Sequence, residues 1–377
     1  MWYGFAMKNE FVQNGNETAP LPMSRREMKA RGIEQLDFVY IIGDAYIDHP
    51  SFGPAIISRV LESHGYTVGI ISQPDWHDAE AFRALGRPKL GFLISSGNMD
   101  SMVNHYTSAK KRRSEDAYTE GGVAGRRPDR AVIVYSNRCR EAYKNVPVII
   151  GGIEASLRRF AHYDYWDDKV RRSVLCDSGA DLLLYGMGER SVVEVADALS
   201  GGLDIKDITY IAGSCYMTSS LERVYDYELI ESYEDVAADR KKYASAFMKQ
   251  YREQDAIRGK RLVQPHGNAY IVVNPPSMPL SEEELDAVYD LPYTRAPHPS
   301  YRGEIPALKE VKFSLASCRG CFGGCSFCAL TFHHGRVVQA RSHASLIREA
   351  ELMTHDPEFK GYIHDVGGPL PRLQKAA

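Results

Sequence analysis

Asp37-Phe-Val-Tyr-Ile-Ile-Gly43 is an apolar run that opens into the turn Gly43-Asp-Ala-Tyr-Ile-Asp-His-Pro-Ser-Phe-Gly53. A run this short, apolar at every inner position, is the pattern of a strand buried on both faces. Pro54 to His64 then carries Ile56, Ile57, Val60 and Leu61 at helical spacing. Gly65 closes that helix before a second apolar run, Thr67-Val-Gly-Ile-Ile-Ser72. Strand, turn, helix and strand in this order predict one βαβ unit. The alternation continues, with Lys89 to Ser95, Val146 to Ile150 and Asp181 to Tyr185 as further core strands and Glu189 to Leu199 as a helix. These strands run into glycine turns at Ser96-Gly97-Asn98, Gly151-Gly152 and Gly186-Met-Gly188. Such turns are where an open α/β sheet lets backbone approach a ligand, and equally where plain tight turns fall. The expected fold class is α/β, with an N-terminal doubly wound, mostly parallel sheet.

The 377 residues carry 46 Lys plus Arg against 49 Asp plus Glu, a formal net charge of −3, and are 44% hydrophobic. That balance excludes disorder, collagen and extreme polyelectrolyte behaviour for the chain as a whole. No apolar run reaches the roughly 18–20 residues of a spanning helix. The first thirty residues lack an apolar core followed by a small-residue cleavage site. No membrane partner is expected, and the protein reads as cytoplasmic. Between Asn98 and Arg130 a polar insertion holds Lys110-Lys-Arg-Arg113 and Arg126-Arg127, interleaved with Glu115, Asp116 and Glu120. In a chain acidic overall this reads as a solvated loop, and nucleic acid is not indicated. A polar helical stretch from Ser232 to Gly259 and a Pro-rich crossing from Pro265 to Pro306 then lead to the last segment. The expected organisation is an N-terminal extension (1–36), an α/β domain (37–212), a helical and Pro-rich linker region (213–308) and a final segment (309–377).

Four of the seven cysteines, Cys318, Cys321, Cys325 and Cys328, fall within eleven residues. A disulfide framework spreads its cysteines along a small secreted chain, so one cluster in a large chain points to a metal site. Read from Cys321 the spacing is C-x3-C-x2-C, with Phe327 just before the last cysteine. Three thiolates this close bind three irons of a cubane and leave the fourth open. With Cys318 the spacing becomes C-x2-C-x3-C-x2-C, and the competing reading is a four-thiolate zinc or closed iron–sulfur site. Four-cysteine zinc sites separate their two pairs by a longer stretch. Cys318 is therefore expected to stand at a strand end rather than to ligate.

The C-x3-C-x-aromatic-C arrangement resembles the signature of the radical S-adenosylmethionine enzymes. That resemblance implies a [4Fe–4S] cluster on Cys321, Cys325 and Cys328, with S-adenosylmethionine on the open iron. It also implies reductive cleavage of the sulfonium to a 5′-deoxyadenosyl radical that abstracts hydrogen from a substrate, and an electron donor of flavodoxin or ferredoxin type. Phe327 would lie near the adenine. Downstream, Ser342 to Thr354 reads as a helix and Gly361-Tyr-Ile-His-Asp-Val366 as a strand ending in Gly367-Gly368. By the same resemblance Gly367 and Gly368 would meet the methionine end of the cofactor, although Pro369 replaces the usual acidic residue. Gly43 to Gly53, Gly151-Gly-Ile-Glu-Ala-Ser156, Asn274-Pro-Pro and Arg319 to Cys328 together resemble the YgiQ-type radical S-adenosylmethionine family. The likeness runs from about Leu21 to Pro369.

In that family the N-terminal module resembles a cobalamin-binding domain, whose usual signature is Asp-x-His-x-x-Gly. Here Asp48 and His49 are adjacent and Gly53 follows four residues later, so cobalamin is the disfavoured cofactor. His333 and His334, five residues past Cys328, stand within reach of cluster or substrate and equally suit a surface role. The family's catalytic core resembles a partial barrel of about six βα units, roughly 30 residues each. From Glu310 onward this chain has 68 residues, which leads to the expectation of a chain cut short after one or two units. Two other readings remain: a non-catalytic metal-binding module using all four cysteines, and a small-molecule or cobalamin-binding α/β module. The substrate is not legible.

Overall fold

The computed structural model describes residues 19–325 and 327–368. Its centre is a set of five parallel strands: β1 (Phe38–Ile42), β2 (Val68–Ser72), β3 (Gly91–Ser95), β4 (Val148–Ile150) and β5 (Leu182–Leu184). They lie in the order β2-β1-β3-β4-β5, with Tyr40 opposite Ile70 on one side and Leu93 on the other. The apolar runs take this place because both faces of the sheet are covered. Phe38, Tyr40 and Ile42 enter one core with α1 (Gly53–Ser63), while Val39 and Ile41 enter a second core with α2 (Ala131–Ala142). A third helix, α3 (Glu189–Ser200), packs its valines beside α1. Each buried Ile or Phe contributes about 1.5–3 kcal/mol of transfer free energy.

Of the stretch from 213 to 308, expected to link two modules, residues 214–273 instead widen the sheet, and residues 274–308 run on to the last segment. β6 (Ser214–Thr218) pairs antiparallel with β5, and β7 (Tyr227–Leu229), β8 (Arg261–His266) and β9 (Ala269–Val273) complete the order β7-β8-β9-β6-β5. Pro265, which marks a Pro-rich crossing in the sequence, lies inside β8. It is tolerated there because β7 pairs only with Arg261–Val263, so β8 is an edge at Pro265. The helical expectation for this region holds in α4 (Arg240–Arg252), whose N-cap Asp239 accepts from the Lys241 N–H.

The insertion between β3 and α2 is not simply solvated. Arg127 is fully buried, 2.8 Å from Asp44 and 3.0 Å from Asp116, and donates to the Ser96 carbonyl. This triad folds the insertion over the carboxyl edge of the sheet and leaves residues 108–115 exposed at its tip.

The last described segment has a small core of its own around Leu315, Leu346 and Met353. β10 (Ser314–Ala316) pairs in parallel with β13 (Asp365–Gly367), and α5 (His343–Thr354) lies between them in the chain. A short antiparallel pair, β11 (Cys318–Arg319) with β12 (Gln339–Ala340), brackets the cysteine loop. The strand read over Glu310 to Ser317 starts later, because Pro306 sets a helix through Val311. No helix among the described residues is long and apolar enough to cross a membrane.

Candidate functional site

A bay of about 500 Å³ opens at the carboxyl ends of β1, β3, β4 and β5, between the sheet and the cysteine segment. In an open sheet this is the edge where ligands bind, near the point where strand order reverses between β1 and β3. Gly97, Gly152 and Gly186 line it with φ near +104°, +78° and +78°. A Cβ on Gly97 would overlap the Asp44 carboxylate, and one on Gly152 would sit 3.1 Å from the Ser95 Cβ. The glycine turns therefore bring main chain to the bay where side chains do not fit. Ile56, Ile57, Ile149, Leu184 and Val192 make the walls apolar.

The roof comes from the cysteine segment through Cys318, Arg319, Leu330, His333, His334 and Gly368. Arg319 pairs with Glu189, the first residue of α3, and its Nε donates to the Tyr289 hydroxyl at 3.2 Å. Burial alone would lower the Arg319 pKa, and Tyr289 and Glu189 beside it raise it instead. The pair ties the segment to the sheet turn Gly186-Met-Gly188. Burial, with His334 and Arg159 nearby, pushes His333 down to about 3. Burial and Arg319 push His334 down to about 4. Both rings are therefore neutral at neutral pH, and His333 Nδ1 lies 3.1 Å from the Ser156 hydroxyl. Below the floor, burial raises Asp44 to about 6 against the pull of Arg127.

The cysteine loop is shaped by close backbone approaches. A Cβ on Gly320 (φ +82°) would lie 2.0 Å from the Val337 carbonyl, so only glycine fits there. Cys321 N–H donates to the Gly335 carbonyl at 3.0 Å, and Thr331 Oγ1 to the Gly323 carbonyl at 2.7 Å. The Cys321 and Cys325 sulfurs lie 3.3 and 3.9 Å from the Cβ position of Gly323, flanking the same residue. Cys328 N–H donates to the Cys325 carbonyl at 3.1 Å. Thiols gathered on one tight loop are the donor type that iron–sulfur clusters take. Among the described residues, no three Cys, His, Asp or Glu side chains already converge as a metal site.

The sequence-expected residues are placed unevenly. Cys318 is buried in β11 and packs directly on Gly368, whose Cβ position is 2.2 Å from its sulfur. Gly367 sits in β13, where its carbonyl accepts the Ser317 N–H at 2.8 Å. Phe327 is 90% exposed and does not line the bay. Pro369 lies outside the described residues. His49 is fully buried: Nδ1 accepts the Ser51 N–H at 3.1 Å, and Nε2 faces Arg295 at 3.4 Å. Sequence reasoning missed Arg319, Glu189 and Tyr289. The one available signal was an arginine set between two cysteines.

The family model described as Radical SAM N-terminal matches residues 20–314. A UPF0313 protein of Clostridium botulinum (strain ATCC 19397 / Type A) is 58% identical over 359 residues, covering 95% of this chain and 56% of that protein. The chain belongs to this radical SAM family, the YgiQ-type or UPF0313 proteins. A UPF0313 protein of Clostridium perfringens (strain SM101 / Type A) is likewise 58% identical over 365 residues, 96% of this chain and 55% of the relative. The chain thus spans about half the length of the curated UPF0313 relatives it matches. Two solved structures of the radical S-adenosylmethionine methyltransferase TsrM from Kitasatospora setae are similar at 17% identity. One, with tryptophan and a SAM analogue, has a TM-score of 0.46 and covers 84% of this chain and 45% of that one. The other, with cobalamin and a [4Fe-4S] cluster, has a TM-score of 0.45 and covers 85% and 46%. Likenesses at that level carry no argument, and the disfavouring of cobalamin finds no support in them.

Proposed function

We propose that this UPF0313 chain is a radical S-adenosylmethionine iron–sulfur protein, with Cys321, Cys325 and Cys328 as cluster ligands. The observation that carries this reading is the C-x3-C-x2-C loop mounted beside a large, apolar bay at the carboxyl edge of the sheet. The chemistry such a cluster supplies when bound is reductive cleavage of S-adenosylmethionine, leaving a 5′-deoxyadenosyl radical for hydrogen abstraction. The chain's own residues supply placement and exclusion. The Arg319–Glu189 pair fixes the loop against the sheet, and Gly320 and Thr331 hold its curvature. Isoleucine, leucine and valine walls keep water from a reactive species in the bay. The neutral histidines His333 and His334 present no added positive charge to the bay at neutral pH.

In the same reading β10, α5 and β13 form the first βα unit of the family's barrel. Gly368 belongs with the S-adenosylmethionine site, Phe327 and Gly367 meet the cofactor once it is bound, and a flavodoxin or ferredoxin supplies the electron. Anaerobic reconstitution with iron and sulfide tests the ligand set. About four irons per chain is the expected content, kept in Cys318→Ala and lost in Cys325→Ala. Equal loss in both variants would favour the four-thiolate module instead.

A further inference from the structure

Four consecutive cations at the tip of the insertion, Lys110, Lys111, Arg112 and Arg113, are exposed and make no ion pair among the described residues. Aromatic rings stand beside them. Lys110 Nζ lies 4.9 Å from the centre of the Tyr165 ring, and the Arg112 guanidinium 6.0 Å from that of Tyr106. Tyr165 in turn holds the tip by donating to the Ser108 carbonyl at 2.6 Å. The surface does not end there. Tyr163 N–H donates to the hydroxyl of Tyr243 on α4 at 3.1 Å.

On α4, Lys242 and Lys249 are neutralised by Asp235 and Glu231. Arg240, Lys241 and Arg252 are exposed and have no ion pair among the described residues. At its far end Phe247 and Tyr251 pack with Phe332, and the Arg336 guanidinium lies 3.9 Å over the Tyr251 ring. Arg336 keeps two buried guanidinium nitrogens without a partner. The Tyr251 hydroxyl then touches Gly324, between Cys321 and Cys325. A run of contacts therefore links the basic tip to the cysteine loop.

We propose that this track binds a single-stranded nucleic acid and leads it toward the cysteine loop. Unpaired cations along an extended path fit a polyanion, and α4 alone, with 13 residues, spans about 20 Å. The exposed rings decide the kind of polyanion: Tyr163, Tyr165 and Phe247 are 48%, 45% and 39% exposed. Aromatic faces alternating with cations are what unpaired bases stack on, in a sequence-tolerant way. The net charge of −3 conceals this, and the exposed carboxylates Glu115, Asp168 and Asp239 stand beside the cations, Asp168 accepting from the Tyr163 hydroxyl at 2.5 Å. Reading the strand as the substrate rests on the radical chemistry proposed above. Binding of the strand does not, and is measured without a cluster.

The experiment is fluorescence anisotropy of a labelled oligouridylate of about 15 nucleotides, titrated with the protein between about 50 and 200 mM KCl. Affinity is expected to fall with salt and to exceed that for a duplex of the same length. Lys110→Glu/Lys111→Glu/Arg112→Glu should weaken binding at least tenfold. It should also flatten the logarithmic salt slope by about 2, at roughly 0.7 per lost phosphate contact. Tyr165→Ala/Phe247→Ala should weaken binding about tenfold while leaving that slope unchanged. Circular dichroism and melting show that each variant is folded. The proposal is overturned if the oligonucleotide does not bind at low salt, or if folded charge-reversed protein binds it as well as the parent. It is equally overturned if an acidic flavodoxin-type protein, and not the oligonucleotide, depends on these residues.

Discussion

In β1 all five side chains are buried, alternating between two cores. In the cysteine loop Phe322 and Phe327 are 59% and 90% exposed, and a few backbone hydrogen bonds and one threonine hold the turn. The sheet is stabilised by what the chain itself buries, whereas the loop offers three thiols and leaves its two phenylalanines largely exposed. Regions of the second kind draw their remaining order from what they bind. The contrast predicts that stability and metal content respond to different residues.

The largest effect falls on the loop. Replacing any one of Cys321, Cys325 and Cys328 by alanine should reduce reconstituted iron from about four per chain to near zero. The urea midpoint of the metal-free protein should stay put. A shift of that midpoint as large as a core substitution causes would break the contrast. On the sheet side, Phe92→Ala should lower the unfolding free energy by about 3–5 kcal/mol through lost burial and a cavity. Arg127→Ala should cost about as much, because Asp44 and Asp116 would be left as buried charges without their partner. Iron content should survive in both variants at temperatures where they remain folded.

Acid should affect both regions with a known sign. His49 and His333 are pushed down to about 3, and His162 and His334 to about 4, chiefly by burial. Their contribution is complete above the usual histidine value near 6.5 and is lost as pH falls toward the folded values. The slope is about 1.4 kcal/mol per pH unit for each. Asp44, raised to about 6, acts in the opposite sense as pH falls from 6 toward 4 and offsets one of them. Urea midpoints at pH 7 and 5.5 should therefore differ, and His333→Gln/His334→Gln should remove about half of the difference. The smallest effect belongs to Phe327→Ala, within about 0.5 kcal/mol of the parent in unfolding free energy.

The five parallel strands were legible because each is a short apolar run, and all but β2 lead into a glycine turn. β6 to β9 were not, since Pro265 reads as a breaker unless the strand is known to lie on an edge. The insertion 98–130 was read as solvated because Arg127, Asp116 and Asp44 show no local pattern. Their pairing exists only once β1 and the insertion meet. At the site the cysteine spacing carried the ligand set, while the residues that seat the loop came from α3 and the Tyr289 region. Such partners, 130 positions from Arg319 in the case of Glu189, leave no periodic trace. Phe327 shows the converse, a residue singled out by its spacing in the motif that is 90% exposed in the structure.

The central claim is that three cysteines, and not four, hold a cluster with one open iron. Its most direct test is the electron paramagnetic resonance spectrum of the reduced, reconstituted protein before and after addition of S-adenosylmethionine, in the parent and in Cys318→Ala. The account predicts a [4Fe–4S] signal that changes on addition in both proteins. A signal indifferent to S-adenosylmethionine in the parent, or a cluster that disappears with Cys318, would contradict it.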